Sequence, residues 1–324
     1  MLRKLASRLT LAHLIVAALS AAASAQDYPS RPIKLIVGFA AGGTTDFMAR
    51  LVADKLRGAL GQPVVVENRT GANGSLGAEL VAKAEPDGYT LYFTTAGVAT
   101  VYPHLKPAPY DTLRDFVGVS RVAFNATMLV VNAATPVHSA ADLATLARQK
   151  PGKITIAITG LGSVSHLGAE LFQSAAAIKL IEVPYRGAAP AMTDLLGGQL
   201  DALFGDGPTV IAQIRAGKIR PIAATSHSRS EIFPDVPTFL EQGFVDTVAD
   251  QWAGVLAPAK TPVEIVVKLN AAIAAVMHEP DVRARLAATG VVPGVNSPQE
   301  FAIYLKDEDA RWARIIREKG IKAE

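Results

Sequence analysis

The chain has 324 residues, which is enough for two domains of ordinary size, and it contains no cysteine. The lack of cysteine excludes disulfides, thiolate metal ligands and a cysteine nucleophile. The net charge of +3 and the sequence pI near 9.0 come from the first residues, because Arg3, Lys4 and Arg8 account for the whole excess of basic side chains. The charge therefore gives no indication of nucleic-acid binding.

The first 25 residues have the pattern of a secretory signal peptide. Three basic side chains are followed by the short apolar run LTLAHLIVAALSAAA and by an Ala-x-Ala sequence that ends at Ala25. The run is short for a membrane-spanning helix and His13 interrupts it, so a retained membrane anchor is the less favoured alternative. We expect cleavage after about Ala25 and export to the periplasm.

Short apolar segments alternate with amphipathic segments along the rest of the chain, which is typical of parallel strand–helix–strand units. We therefore predict an α/β fold with two doubly wound domains. The predicted strands are 33–39, 63–68, 90–95, 153–159, 178–185, 201–206 and 218–226. No linker rich in Gly, Ser or Pro divides the chain, so the extended segments 126–132 and 251–258 are our candidates for crossings between domains.

The C-terminal part carries sequence signals for the ends of helices. Thr261 and Glu264 have the spacing of a capping box, and Ser297 and Glu300 repeat that spacing before a long helix. Gly290 has the position of a glycine that ends the intervening helix. These signals predict three consecutive helices in this part of the chain.

Three loops combine glycine with hydroxyl side chains at the end of a predicted strand and lead into a helix. They span residues 38–46, 94–100 and 159–166. In an open parallel sheet ligands bind at this edge, and a helix N-terminus there offers unpaired N–H groups and a positive dipole end. One helix end stabilises a charge by only about 0.3–1 kcal/mol, so several must converge on one anion. Tight turns without a ligand are the alternative explanation.

The loops do not have the sequence of a nucleotide site. Loop 38–46 lacks the lysine of a P-loop, and loop 159–166 has only two of the three glycines of a dinucleotide-binding turn. A small carboxylate, which is planar and anionic, fits the loops better. Asp46 has two interpretations: it is an N-cap for the helix that follows, or it contacts the ligand.

Catalytic and metal-binding patterns are weak. The segment NGSLG has Asn73 where the hydrolase motif G-x-S-x-G requires glycine. His166 and Glu170 lie one turn apart on a predicted helix, but two ligands alone make a weak metal site. Tyr185 and Arg186 at a strand end suit a carboxylate, unless Arg186 is a rim residue paired with a surface acid. We expect no cofactor, no bound metal and no catalytic residues.

Eight segments spread over the chain carry a resemblance to a known family. They are YPSRPIKLIVGFAAGGTTDFMAR, VVVENRTGANGSLGAELVAKAEPDGYTL, YDTLRDFVGV, KPGKITIAITGLGSVSHLGAELF, VPYRGAAPAMTDLLGGQLDALF, IRAGKIRPIAATS, FPDVPTFLEQGF and IIREKGIKAE. In this order they resemble the Bug family, the periplasmic substrate-binding proteins of tripartite tricarboxylate transporters. The resemblance implies a Venus-flytrap protein with a ligand cleft between two α/β lobes. Lobe one would comprise residues 27–126 and 252–324, and lobe two residues 127–251.

The same resemblance implies that two facing loops hold the carboxylate of the ligand. Here these are loops 38–46 and 159–166, with the turns 94–98 and 205–207 nearby. The predicted ligand-binding residues are Phe39, Ala41, Gly42, Gly43, Thr44, Thr45, Asp46, Thr95, Gly97, Thr159, Gly160, Gly162, Ser163, Ser165, His166, Arg186 and Asp206.

Together these features predict a binding protein and not an enzyme. It would capture a small carboxylate between two lobes and deliver it to the membrane subunits of a tripartite tricarboxylate-type transporter. The alternatives are a periplasmic enzyme acting on a small carboxylate, a ligand-loaded partner of a sensor kinase, and a structural or interaction module. We expect a monomer that binds no nucleic acid.

Overall fold

The computed structural model describes residues 28–125, 127–185 and 187–322, so the predicted signal peptide lies outside the described residues. The strands are β1 (Ile33–Val37), β2 (Val64–Asn68), β3 (Thr90–Thr95), β4 (Phe116–Asn125), β5 (Thr127–Asn132), β6 (Thr155–Ile158), β7 (Ile181–Pro184), β8 (Ala202–Asp206), β9 (Ile219–Ala224), β10 (Gln251–Pro258) and β11 (Val291–Pro293). All seven predicted strands are present, and their ends lie within three residues of the predicted ones.

Helices precede or follow most of these strands. They are α1 (Thr44–Leu60), α2 (Ser75–Ala82), α3 (Tyr102–Leu105), α4 (Thr112–Asp115), α5 (Ala140–Gln149), α6 (Val164–Ala176), α7 (Ala188–Leu196), α8 (Gly207–Arg215), α9 (Val263–His278), α10 (Pro280–Ala288) and α11 (Pro298–Lys319). A 3₁₀ turn covers Ala72–Gly74 and a π-helical turn covers Gly97–Val101. Across the described ranges, no helix combines the length and the apolar character needed to span a membrane.

The strands form two mixed sheets. The first has the order β11–β4–β10–β3–β1–β2, and the second has the order β7–β6–β8–β5–β9. The strands β1, β2 and β3 are parallel, as are β6, β7 and β8, whereas β10 and β5 run antiparallel to both of their neighbours. The expected parallel arrangement thus holds for only part of each sheet. Two parallel strands of one sheet are connected by a crossover, usually a helix. The chain enters β5 and β10 from the other sheet instead, without such a crossover.

The chain passes between the sheets at the two segments that the sequence indicated. β4 of the first sheet ends at Asn125, β5 of the second begins at Thr127, and β10 returns to the first sheet at Gln251. The protein therefore has a two-lobed α/β fold. The residue limits given above for the two lobes stay a prediction.

Each sheet is buried between apolar side chains on both of its faces. In the first sheet, alternate residues of β1 enter different clusters: Leu35 packs with α1 and α9, and Ile36 packs with Trp252 and Trp312. In the second sheet the larger cluster is centred on aromatic side chains of α6, β8 and the segment after β9, namely Phe172, Phe204 and Phe239. These cores fix the strand ends from which the loops emerge.

The predicted helix signals are confirmed in part. The capping box at Ser297 and Glu300 is present, with each side chain accepting the other residue's N–H. The prediction for Thr261 is wrong: α9 begins after Pro262, and the Thr261 hydroxyl instead donates to the carbonyl of Pro258. Gly290, with φ of 80°, follows the end of α10 as expected.

Candidate ligand-binding cleft

The first glycine-rich loop connects β1 to α1 and leaves backbone donors unpaired. Gly43 is the N-cap of α1, and no side chain caps the helix. Within the described residues, the N–H groups of Thr44 and Thr45 have no hydrogen-bond partner. The first N–H groups of a helix point out of its end and carry its positive dipole, so this end of α1 suits an anion.

Asp46 supports this loop from behind and is not its N-cap, which corrects the first interpretation. It is the third residue of α1 and is only 3% exposed. Its Oδ2 accepts from the N–H of Gly42 and from Arg50 Nε, each at 2.9 Å, and its Oδ1 accepts from Asn68 Nδ2 at 2.8 Å. Burial acts to raise the pKa of Asp46, but the hydrogen bonds from Arg50, Gly42 and Asn68 hold it below its usual value.

The second glycine-rich loop connects β6 to α6 and is held by a chain of hydroxyl groups. Ser163 is the N-cap: its Oγ accepts from the N–H of His166 at 3.3 Å and donates to the carbonyl of Gly160 at 2.6 Å. Ser165 Oγ lies 2.8 Å from Ser163 Oγ and accepts from the N–H of Thr159 at 2.8 Å. The hydroxyl groups are thus occupied within the loop, and the backbone supplies the open donors.

His166 is buried behind the second loop, with 2% of its surface exposed. Its Nδ1 accepts from the N–H of Gly162 at 3.1 Å, so the proton of a neutral ring is on Nε2. Nε2 lies 3.3 Å from Glu182 Oε2 and 3.9 Å from Glu170 Oε1. Burial and the charge of Glu182 raise the pKa of Glu170. His166 therefore fixes the conformation of the loop at Gly162.

The same three side chains are the one group of His and acidic residues in the described parts of the chain with metal-like spacing. The ligand atoms of His166, Glu170 and Glu182 lie within 4.8 Å of one another. A metal ion on Nε2 would require the ring proton on Nδ1, because the second nitrogen of a liganding histidine is normally a donor. Nδ1 is already an acceptor from Gly162, so the geometry favours a hydrogen-bonded chain over a metal centre.

The third loop, after β3, brings the first lobe against the second. Thr95 ends β3 and is buried, and Gly97 opens the π-helical turn. A β-carbon at Gly97 would lie 3.5 Å from the carbonyl oxygen of Gly162 and 3.6 Å from Ser163 Cα. Both distances are ordinary van der Waals contacts, so the two loops lie directly against each other at Gly97.

A fourth segment, which the sequence interpretation missed, also faces the second loop. Ala72 and Asn73, between β2 and α2, have left-handed φ angles of 45° and 53°. Such strained backbone is concentrated at functional sites. A β-carbon at Gly160 would lie 3.6 Å from Asn73 Oδ1, which places this side chain at the lobe interface. The adjacent pair Asn73–Gly74 after a strand was the available sequence signal.

Asp206 joins the two lobes at the end of β8. Asn125 Nδ2 donates to its Oδ2 at 3.2 Å, the Thr209 hydroxyl donates to its Oδ1 at 2.5 Å, and the Thr44 side chain lies close to the carboxylate. Burial raises the pKa of Asp206, and the hydroxyl groups of Thr209 and Thr44 oppose the rise. Thr44 and Asn125 belong to the first sheet's lobe, so Asp206 reaches across the cleft.

The remaining predicted residues are less closely involved. The carbonyl of Phe39 accepts from Asn68 Nδ2 at 2.9 Å, and Ala41 is exposed at the tip of the first loop. Arg186 lies outside the described residues. Among the described residues, the structure therefore brings Gly97 against Gly162 and Ser163, and it places the Thr44 side chain close to Asp206.

Comparison with known proteins identifies the family. Residues 48–321 match the tripartite tricarboxylate transporter family receptor, TctC. The chain belongs to this receptor family. The resemblance to the Bug proteins is confirmed as well, because the chain is 40% identical to protein BugT of Bordetella pertussis over 311 residues, which is 95% of each chain.

Solved structures of similar proteins share the fold. A protein of R. palustris whose structure was determined with adipate is 36% identical, with a TM-score of 0.85 over 91% of this chain and 99% of that one. MatC from Rhodopseudomonas palustris, with bound malate, is 31% identical, with a TM-score of 0.82 over 89% of this chain and all of the other. The predicted fold of a two-lobed periplasmic binding protein is thus confirmed.

Proposed function

We propose that this TctC receptor binds a small carboxylate between its lobes and presents it, chemically unchanged, to the membrane subunits of a tripartite transporter. The observation that carries the proposal is the pair of helix N-termini at the two glycine-rich loops. In the described part of the chain, the N–H groups without a partner at these ends are those of Thr44 and Thr45 on α1 and of Val164 and Ser165 on α6. Paired N–H donors at two helix ends suit the two oxygens of a carboxylate.

The similar proteins support this choice of ligand. MatC was determined with malate and the second R. palustris protein with adipate, and both compounds are dicarboxylates. We further propose that the first 25 residues direct export to the periplasm and are removed there. The receptor would then meet its ligand and its transporter in that compartment.

A thermal-shift screen of mono- and dicarboxylates, with sugars and amines as comparison classes, tests the proposal. A ligand that binds only the folded form at 100 times its Kd adds about 2.7 kcal/mol of stability. Mass spectrometry of the same mixtures should show the acid unchanged. Stabilisation by sugars or amines alone, or turnover of the acid, would contradict the proposal.

Two valine variants on the same helix localise the site. At Gly43 a valine side chain would project where the ligand approaches the end of α1, and only the carbonyl of Ala40 lies within 4 Å of its β-carbon. Gly58, in the body of α1, has open space and serves as the matched control. We expect Gly43→Val to lower affinity at least about ten-fold, the loss of one hydrogen bond to a charged group, and Gly58→Val to leave it unchanged. Equal affinity of both variants would place the carboxylate elsewhere.

A further inference from the structure

A group of hydrogen-bond acceptors lies beside the crossing between the lobes, and two of its atoms have no donor among the described residues. Asn125 is 2% exposed, and its Oδ1 has no hydrogen-bond partner within the described residues. Gln251 Oε1 is also buried there without a partner. Buried polar atoms are nearly always paired, so two unpaired acceptors at one place indicate a missing donor.

The strand register places these two acceptors on one side of the first sheet. Asn125 at the end of β4 lies opposite Gln251 at the start of β10, and side chains directly opposite in an antiparallel pair leave the same face. Asn125 Nδ2 is 3.2 Å from Asp206 Oδ2, so the Asp206 carboxylate adjoins the same face. We call Asn125, Gln251 and Asp206 the acceptor cluster.

The acceptor cluster opens toward the proposed ligand. Asp206 ends β8, which runs parallel to its neighbour β6, so its carboxylate lies at the edge of the sheet from which the second loop emerges. The Thr44 side chain, at the N-terminus of α1, lies close to this carboxylate. The cluster therefore continues from the anion-binding end of α1 toward the crossing. Asn125 and Thr209, which donate to Asp206, and Thr44, which lies close to it, are uncharged, so these three side chains do not neutralise its charge.

We propose that the acceptor cluster binds a hydrogen-bond donor on the solute, an ammonium or a hydroxyl group, which makes the solute an amino- or hydroxy-substituted carboxylate. This inference rests on the proposed function. A solute that carried only a second carboxylate would bring negative charge toward Asp206 and leave Asn125 Oδ1 and Gln251 Oε1 without a donor. An ammonium group has three donors and a hydroxyl has one, and both suit this environment.

The test is calorimetric titration with acids matched in chain length. Succinate, malate and aspartate form one series, and glutarate, 2-hydroxyglutarate and glutamate form the second. We expect at least one substituted acid to bind roughly ten- to a hundred-fold more tightly than the unsubstituted acid of its series, the value of a hydrogen bond that involves a charged group. A preference for the amino acid identifies the donor as ammonium, and a preference for the hydroxy acid identifies it as hydroxyl.

Gln251→Met provides the decisive variant, because it removes an acceptor that has no partner in the described part of the chain and keeps the side chain's length. It should reduce the preference for the substituted acid about ten-fold and leave the unsubstituted acid unaffected. Gln199→Met, in an exposed turn before β8, is the control and should change neither affinity.

Two contrary outcomes are distinguishable. This inference is wrong if unsubstituted acids bind at least as tightly as substituted ones, or if Gln251→Met keeps the full preference. In either case the cluster holds only water, and the proposed receptor function is not affected. If no carboxylate of either series binds, the proposed function itself is contradicted.

Discussion

The two glycine-rich loops have almost the same backbone, although they lie in different lobes. Gly42 and Gly162 have φ angles of 83° and 76°. The N-caps that follow them, Gly43 and Ser163, have φ and ψ of −79° and 171°, and of −81° and 166°. Each glycine N–H is accepted by the side chain four residues later, Asp46 in one loop and His166 in the other. The two loops that face each other across the cleft thus have the same turn conformation.

The difference between the loops is the charge of the side chain behind them. Asp46 is an anion whose charge Arg50 offsets, whereas a neutral imidazole holds Gly162. The second loop adds a serine N-cap, which uses one of the helix's first N–H groups. The comparison teaches that the same backbone conformation can be supported by different side chains, provided that the charge of the supporting side chain is balanced.

The largest effect should come from removing the anionic support. Asp46→Ala deletes the acceptor for Gly42, Arg50 and Asn68, and hydrogen bonds to charged groups are worth about 1.5–3 kcal/mol. We expect the free energy of unfolding to fall by about 3 kcal/mol, with weaker ligand binding. Urea denaturation measures it, and Asp54→Ala on the exposed face of α1 is the control. Equal stability of the two variants would show that Asp46 does not hold the loop.

Introducing asparagine at both supporting positions sharpens the comparison. In Asp46→Asn an amide donor faces the donors of Arg50 and Asn68, which should cost about 2 kcal/mol. In His166→Asn the amide oxygen can still accept from Gly162, so we expect a loss of about 1 kcal/mol from the contact with Glu182. Affinity should stay within about threefold of the parent, because the loop keeps its acceptor. A larger loss at His166 than at Asp46 would reverse our assignment.

Much of this arrangement could be predicted from the sequence, because it is local. The glycines, hydroxyl groups and strand ends of both loops lie within a few residues, and the structure joins Gly97 with Gly162 and Thr44 with Asp206. The role of Asp46 on α1 could not be predicted, because it depends on a hydrogen bond from Asn68, which lies 22 residues away on β2. Whether the predicted residues contact a ligand stays a prediction.

The strand order of the sheets and the acceptor cluster also could not be predicted from the sequence. β4 contains Gly118, Ser120 and Arg121, which interrupt its apolar pattern, and it was not predicted as a strand. Asn125 and Gln251 become neighbours only through the antiparallel pairing of β4 with β10. Such long-range pairing leaves no periodic signal along the chain.

The serine cap tests whether the hydroxyl chain of the second loop is structural. Ser163→Ala should lower stability by about 1 kcal/mol, the usual cost of losing an N-cap. Ser139→Ala removes an equivalent cap from α5, where Ser139 accepts from the N–H of Asp142 at 3.0 Å. We expect Ser163→Ala to lose at least as much stability as Ser139→Ala, because the Ser163 hydroxyl also donates to the carbonyl of Gly160. A loss of affinity confined to Ser163→Ala and much larger than its loss of stability would assign its hydroxyl to the ligand.

The smallest expected effect is a difference in pH dependence between the two supports. Burial acts to raise the pKa of Asp46, but the hydrogen bonds from Arg50, Gly42 and Asn68 outweigh burial and lower this pKa. Its contribution to stability is therefore present above about pH 3.8 and lost as the pH falls through the lower folded pKa. Burial raises the pKa of Glu170 above 4.5, so its contribution is lost as the pH rises through the folded pKa.

Stability measured between pH 3 and pH 6 on three proteins checks this difference. The destabilisation by Asp46→Asn should shrink at the acidic end, and Glu170→Gln should gain on the parent toward the neutral end. Parallel profiles for the three proteins would show that neither carboxyl group titrates as its surroundings imply.

The central claim is that both loops hold one carboxylate through their backbone N–H groups. The most direct measurement is an amide NMR titration of the ¹⁵N-labelled protein with the acid found in the screen. We predict that the amide resonances of Thr44 and Thr45 in one lobe and of Val164 and Ser165 in the other shift together, with a single Kd. Shifts confined to one lobe, or different Kd values for the two loops, would contradict the account.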